Sequence, residues 1–183
     1  MIVEGSYSFP AQREVIWDLL LDPAVIAKTM PGATEMVRVT HEKYAGKLRI
    51  GIGAITAAEF QVTVVLADVL APEHYTMLID GQGKFGFTRG SALIELAADG
   101  ATGTQLHFRA DMQVGGKIAG VGQRLLDSVS KLLTRQGLEA LAKEVGQRLQ
   151  GNPGPGTGDP GRGAGEQRMP QRPIPDSRPP ERP

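Results

Sequence analysis

Between Gln105 and Leu149 the chain changes its hydrophobic period once, and that change limits the folds open to it. Leu106, Phe108, Ala110, Met112 and Val114 alternate with Gln105, His107, Arg109, Asp111 and Gln113. A period of two makes one face of a strand apolar and the other wet. Beyond Gly115-Gly116, the residues Ile118, Val121, Leu125, Val129, Leu132, Leu133, Leu138, Leu141, Val145 and Leu149 recur at three- and four-residue steps, which is the stripe of an amphipathic helix. The spacing predicts a helix over 117–149, on the order of 45 Å long. A one-sided strand running into a one-sided helix buries both apolar surfaces when the helix lies across the sheet. The first turns of that helix hold Gly115, Gly116, Gly120 and Gly122, although glycine costs about 1 kcal/mol per helix position relative to alanine. Small residues are therefore needed there for a reason other than helix stability, and the joint is expected to leave room at the mouth of a cavity.

Upstream, the pattern predicts a strand over 2–9 ended by Pro10, a short helix over 11–21 with Val15, Trp17, Leu19 and Leu20 available for burial, and a second short helix. Asp22-Pro23 suits the start of that second helix, with Asp as cap and Pro at the first helical position. Met30-Pro31-Gly32 stops it. Strand-like runs follow at 34–40, 43–52, 56–70, 74–82, 88–97 and 103–114, separated by short turn signals such as Ala71-Pro72-Glu73 and Ala98-Asp99-Gly100. The class is α+β: a bent antiparallel sheet of about seven strands gripping one long C-terminal helix, with two short helices after the first strand. Alternation points Tyr44, Leu48, Ile50, Ile52, Phe60, Val62, Val64 and Leu66 inward, followed by Tyr75, Met77, Ile79, Ala92, Ile94 and Leu96. Gly46, Gly81 and Gly90 interrupt these inward faces, which either lets the sheet bend or leaves space for a ligand.

Composition divides the chain near residue 150. Residues 151–183 hold nine of the thirteen prolines and seven glycines, with Ala164, Met169 and Ile174 as the only apolar side chains of any size. Such a segment cannot bury enough surface to offset its ordering entropy. One domain over 1–149 and a disordered tail over 150–183 are expected. Charge is balanced, with 20 Lys+Arg against 20 Asp+Glu and no basic block, so nucleic acid is not an expected partner. There is no cysteine, which excludes disulfides and thiolate metal sites and fits a reducing compartment. No signal-peptide pattern opens the chain, and no apolar run approaches the ~20 residues that span a bilayer. A cytoplasmic protein is expected.

Motifs that carry chemistry are few. Gly81-Gln82-Gly83-Lys84-Phe85-Gly86 fits G-x-G-x-x-G, but a strand follows it where the dinucleotide fingerprint needs a helix N-terminus. A flexible hairpin is the better reading, with Phe85 and Phe87 either packed or forming an apolar lip beside the joint. His41, His74 and His107 lack partners at metal-ligand spacing, and Ser91, Ser128 and Ser130 lack a nucleophile context. Glu59, Asp80, Arg89 and Asp111 are expected as a solvated rim. No catalytic or metal residue is assigned. With only 5% aromatic residues, the bent sheet is expected to leave its interior incompletely filled. The candidate lining is Phe60, Val62, Val64, Met77, Ile79, Ala92, Ile94, Phe108 and Met112 from the strands. Phe85 and Phe87 come from the hairpin, and Ile118, Val121, Gly122, Leu125 and Val129 from the helix start.

Taken together, Phe9-Pro10-Ala11, the run Val15 to Pro23, Met30-Pro31-Gly32, the run Phe85 to Ala92 and the run Val114 to Leu125 resemble the CoxG family of carbon monoxide dehydrogenase subunits. That family lies within the START/Bet v1-like helix-grip (SRPBCC) superfamily. The resemblance covers about residues 1–148, and the last two motifs are the specific ones. It implies a non-enzymatic accessory protein of a molybdenum-dependent CO dehydrogenase-type enzyme. Such a protein would be associated peripherally with the inner face of the cytoplasmic membrane, with an apolar cavity whose natural ligand is a respiratory quinone such as menaquinone; no covalent cofactor is implied. The chain departs from relatives that carry an apolar C-terminal segment, since a Gly/Pro/Arg-rich tail stands in its place. Met169, Pro170, Arg172, Pro173, Ile174 and Pro175 form a short polyproline-compatible stretch, either passive or a docking tether for the partner enzyme. Two alternatives stand beside the carrier: a structural adaptor that recruits the dehydrogenase to the membrane without carrying ligand, and a helix-grip cyclase or hydrolase.

Overall fold

In the computed structural model, residues 1–53 and 55–151 are described. Strand β1 (Ile2–Phe9) leads to helices α1 (Arg13–Leu21) and α2 (Pro23–Thr29). Six strands follow: β2 (Ala33–Arg38), β3 (Lys43–Ile52), β4 (Ile55–Leu70), β5 (His74–Gly83), β6 (Gly86–Asp99) and β7 (Gly103–Gly115). They form one antiparallel sheet in the order β1-β7-β6-β5-β4-β3-β2. Every predicted strand is present, with ends shifted by no more than two residues.

The C-terminal helix departs from expectation. The single helix predicted over 117–149 is a 3-10 turn, Gly116–Val121, followed by α3 (Gln123–Leu149). Gly122 separates the two at φ +94°, a conformation open to glycine at little cost. The apolar spacing runs through this break without marking it, because Ile118 and Val121 pack on the core from the turn just as they would from a helix.

Local chemistry explains the short helices. The Asp22 carboxylate accepts a hydrogen bond from Ala24 N at 2.8 Å, and Pro23 occupies the first helical position. On α1, Ile16, Trp17 and Leu19 are buried, while Val15 and Leu20 are only partly so. Two buried hydroxyls tie these helices to the sheet. Thr104, fully buried at the start of β7, donates to Ala11 O at 2.6 Å, and Tyr44 of β3 donates to Leu21 O at 2.8 Å.

The concave face of the sheet carries the core, from Phe9 and Leu106 at one end through Leu96, Ile94 and Tyr75 to Phe60 and Ile52. Gly46 and Gly90 on this face are not open space. A side chain at Gly46 would meet the Met36 side chain, and one at Gly90 would meet Met112 Sδ at 2.8 Å, so neighbouring methionines already cover both positions. No helix among the described residues is long and apolar enough to cross a membrane.

Candidate ligand cavity

The long helix is held at its ends. Leu126 is buried near its start, and Leu141 and Val145 near its finish, while Val129, Leu133, Gly137 and Leu138 between them are only half-buried. The backbone of α3 lies close to α1, α2, β1 and β3 and stands off the central strands β5 and β6. A gap is left between a curved sheet and a straight helix. It forms a cavity of about 360 Å³, within the size range of small-molecule sites.

Three walls define this cavity. The sheet supplies Met36, Tyr44, Val64, Leu66, Tyr75, Met77, Ile94, Leu106 and Phe108. Helix α3 supplies Thr134, Gly137, Leu138 and Leu141, and the α1–α2 segment supplies Leu20, Leu21, Ile26, Thr29, Met30 and Pro31. The sheet residues are mostly buried, whereas those of α2, its following loop and Thr134, Gly137 and Leu138 are half-buried. That half-buried set marks the rim. A Cβ at Gly137 would sit 3.4 Å from Thr29 O and 3.7 Å from Pro31 Cδ, ordinary contact distances, so this turn of α3 packs beside the end of α2.

Among the described residues no Asp, Glu, His, Lys or Arg lines the cavity; its hydroxyl-bearing side chains are Thr29, Tyr44, Tyr75 and Thr134. Thr29 and Tyr44 already donate within the protein, to Val25 O and Leu21 O. Tyr75 packs edge-on against Trp17, ring centroids 5.3 Å apart, and is 2% exposed. Burial pushes its hydroxyl pKa well above the ordinary tyrosine value, and the Tyr44 side chain adds to the rise. Burial also raises that of Tyr44, with Arg38 pulling it back and Asp22 pushing it further up.

These shifts have a consequence for stability. Below the ordinary tyrosine pKa of about 10 both folded and unfolded chains keep the proton. Above it the unfolded chain releases protons that the folded chain retains, so stability falls as pH rises. Urea midpoints are expected to decline from pH 10 to pH 11, and Tyr75→Phe to decline less over that interval. An identical decline in the variant would show that Tyr75 is not the group responsible.

Of the residues expected to bind ligand, Val64, Met77, Ile94 and Phe108 line this cavity. The others lie outside its lining. Phe60, Val62, Ala92 and Ile118 are buried in the core; Ile79, Phe85, Phe87, Met112, Val121, Leu125 and Val129 are half-buried, and Gly122 is exposed. At the joint, Gly115 and Gly116 are met by protein, whereas a Cβ at Gly120 or Gly122 would meet no atom within 4 Å. The Phe87 ring lies over Gly115, Gly116 meets the backbone of Gly86, and Ile118 N donates to Phe85 O at 3.0 Å. The hairpin is the neighbour of the joint, as expected, but it closes on it. Sequence reasoning missed the α1–α2 wall, Leu20 to Pro31. Met30-Pro31-Gly32 is its one signal, read as a helix stop and a motif of the resemblance but not as cavity lining.

Three of the four expected rim residues form surface pairs, and the fourth, Glu59, is exposed. Asp80 meets Arg89 at 2.9 Å, Arg89 stacks on Phe87, and Asp111 faces the N-terminal amine at 3.8 Å. Among the described residues no three His, Cys, Asp or Glu are grouped to hold a metal. The proposed tether, Met169, Pro170, Arg172, Pro173, Ile174 and Pro175, lies outside the described residues.

Comparison with known proteins bears on both fold and family. A search of curated protein sequences gives no significant match. Among solved structures, a conserved protein from Geobacillus kaustophilus is similar at 31% identity and a TM-score of 0.76, over 80% of this chain and 96% of that one. An aromatase/cyclase from a Streptomyces species is similar at 15% identity and a TM-score of 0.64, over 82% and 96%. A START superfamily protein from Mycobacterium smegmatis matches at 14% and 0.63, over 80% and 98%. The last two show the fold alone, a START-like helix grip. The family of carbon monoxide dehydrogenase subunits described as CoxG matches residues 5–146, and the chain belongs to that family of accessory proteins.

Proposed function

We propose that the chain is a non-enzymatic carrier of an apolar respiratory quinone such as menaquinone, moving it between the cytoplasmic membrane and a molybdenum-dependent CO dehydrogenase-type enzyme. The observation that carries this reading is the apolar cavity of about 360 Å³ with no charged side chain in its lining. A ring system the size of an aromatic side chain buries about 150–250 Å², worth roughly 4–6 kcal/mol at ~25 cal/mol per Å². A long isoprenoid tail exceeds the cavity and would leave across the half-buried rim of α2 and α3. The lining also supports carriage over catalysis. Its tyrosines hold their protons more firmly than usual, and nothing else in it titrates. No group there is poised to deprotonate a quinol or serve a cyclase as acid and base at neutral pH. Family membership supports the partner.

Mass spectrometry of an organic extract of the purified chain tests the proposal. Near-stoichiometric isoprenoid quinone is the expected result. An empty protein that still binds the dehydrogenase would replace the carrier with a structural adaptor.

A further inference from the structure

The cavity contains one deeply buried hydroxyl whose hydrogen-bonding capacity the protein leaves unused. Tyr75 is 2% exposed and belongs to the sheet wall of the cavity. The tyrosine opposite it in role, Tyr44, is committed to Leu21 O. Among the described residues the Tyr75 hydroxyl has no hydrogen-bond partner, and no fully sealed side-chain polar atom lacks one. The hydroxyl is therefore the part of Tyr75 that reaches open space, and the space it lines is the cavity. Its ring is packed on two sides, with Trp17 against it edge-on and Ile94 of β6 opposite it in register. Buried tyrosine hydroxyls normally find a partner, so one left free by the protein is suited to a partner on the ligand.

We propose that Tyr75 donates a hydrogen bond to a carbonyl oxygen of the cavity's ligand, so that the site selects an oxygenated ring over a hydrocarbon of the same shape. The inference rests on the reading of the cavity as an apolar-ligand site and adds what that reading lacks, a basis for specificity. Apolar walls discriminate poorly between ligands of equal size, whereas one buried polar group rejects a ligand that cannot pair with it. A neutral hydroxyl also serves both redox forms. It donates to a quinone carbonyl and accepts from a quinol hydroxyl, as suits a site that releases its ligand in one form and takes it up in the other.

Calorimetry on the extracted full-length chain, with 2-methyl-1,4-naphthoquinone and 2-methylnaphthalene as probes, tests the assignment. Wild type is expected to favour the quinone. Tyr75→Phe should weaken quinone binding about five- to tenfold, the worth of one neutral hydrogen bond, and leave the hydrocarbon unchanged. The carbonyl stretch of the bound quinone should lie at lower frequency in wild type than in Tyr75→Phe. Unchanged preference and unchanged stretch in the variant would overturn the Tyr75 assignment while leaving the cavity reading intact. Failure of wild type to bind either probe would overturn both.

Discussion

Replacing Met77 with tryptophan is expected to weaken binding of 2-methyl-1,4-naphthoquinone by at least ~100-fold while moving the melting temperature by no more than about 4 °C. Met77 lies on β5, the central strand, half-buried, and faces the gap that α3 spans. An indole placed there occupies the volume that a ligand ring would take. A hundredfold loss corresponds to about 2.7 kcal/mol, well under the roughly 4–6 kcal/mol that burial of such a ring supplies. Overpacking a filled core costs about 1–3 kcal/mol. Here the added atoms enter existing space, so the stability change should stay near 1 kcal/mol, or about 2–4 °C for a domain of this size. Leu125→Trp, outside the cavity lining and beside Gly53, is the control and should bind as wild type does. Full binding by Met77→Trp would place the ligand elsewhere. Loss in Leu125→Trp alone would return the site to the glycine-rich joint.

The contrast between those two substitutions shows where the sequence was legible and where it was not. Strand and helix identities follow from local periods, so β1 to β7 could be placed within two residues, and the concave face with them, whereas α3 ends where the period ends but starts six residues after the predicted start, at Gln123. Val64, Met77, Ile94 and Phe108 came from that alternation alone. What alternation cannot give is the path of the helix over the sheet. Leu141 and Val145 are buried, and Val129 and Leu133 are not, although all four belong to the predicted stripe; near the start of α3 it is Leu126, outside that stripe, and not Leu125 that is buried. Only the three-dimensional gap between a curved surface and a straight rod decides which members touch. The α1–α2 wall was hidden for a related reason. Leu20, Leu21, Ile26 and Met30 look like ordinary packing residues of short helices, and their lining role depends on where Tyr44 anchors those helices to the sheet. The glycines misled in a specific way. A missing side chain is the same letter whether the space holds a ligand, another strand or a methionine.

Gly116 and Gly120 separate those meanings by experiment. Gly116 sits at φ +77°, and a Cβ built there would lie 2.6 Å from Gly86 Cα and 3.1 Å from Phe85 O. Both neighbours are backbone atoms of the β5–β6 hairpin, which cannot yield as a flexible side chain would. Gly116→Val therefore combines a backbone conformation that costs about 1–3 kcal/mol for such residues with displacement of the hairpin and loss of the Ile118 N to Phe85 O bond at 3.0 Å. A destabilisation of about 3 kcal/mol or more is expected, lowering the melting temperature by about 6–12 °C. Gly120, in the same 3-10 turn, has no atom within 4 Å of a built Cβ and no positive φ. Gly120→Ala should be neutral or stabilise by up to about 1 kcal/mol, through the lower entropy of the unfolded chain. Two glycines four residues apart would then respond with opposite signs. If both variants melted like wild type, close packing of hairpin on joint would be wrong, and the space at 114–122 would again be open to a ligand. The expected pair of results makes the joint a clasp that holds the grip closed at one end, leaving the half-buried rim of α2 and α3 as the end that admits a ligand.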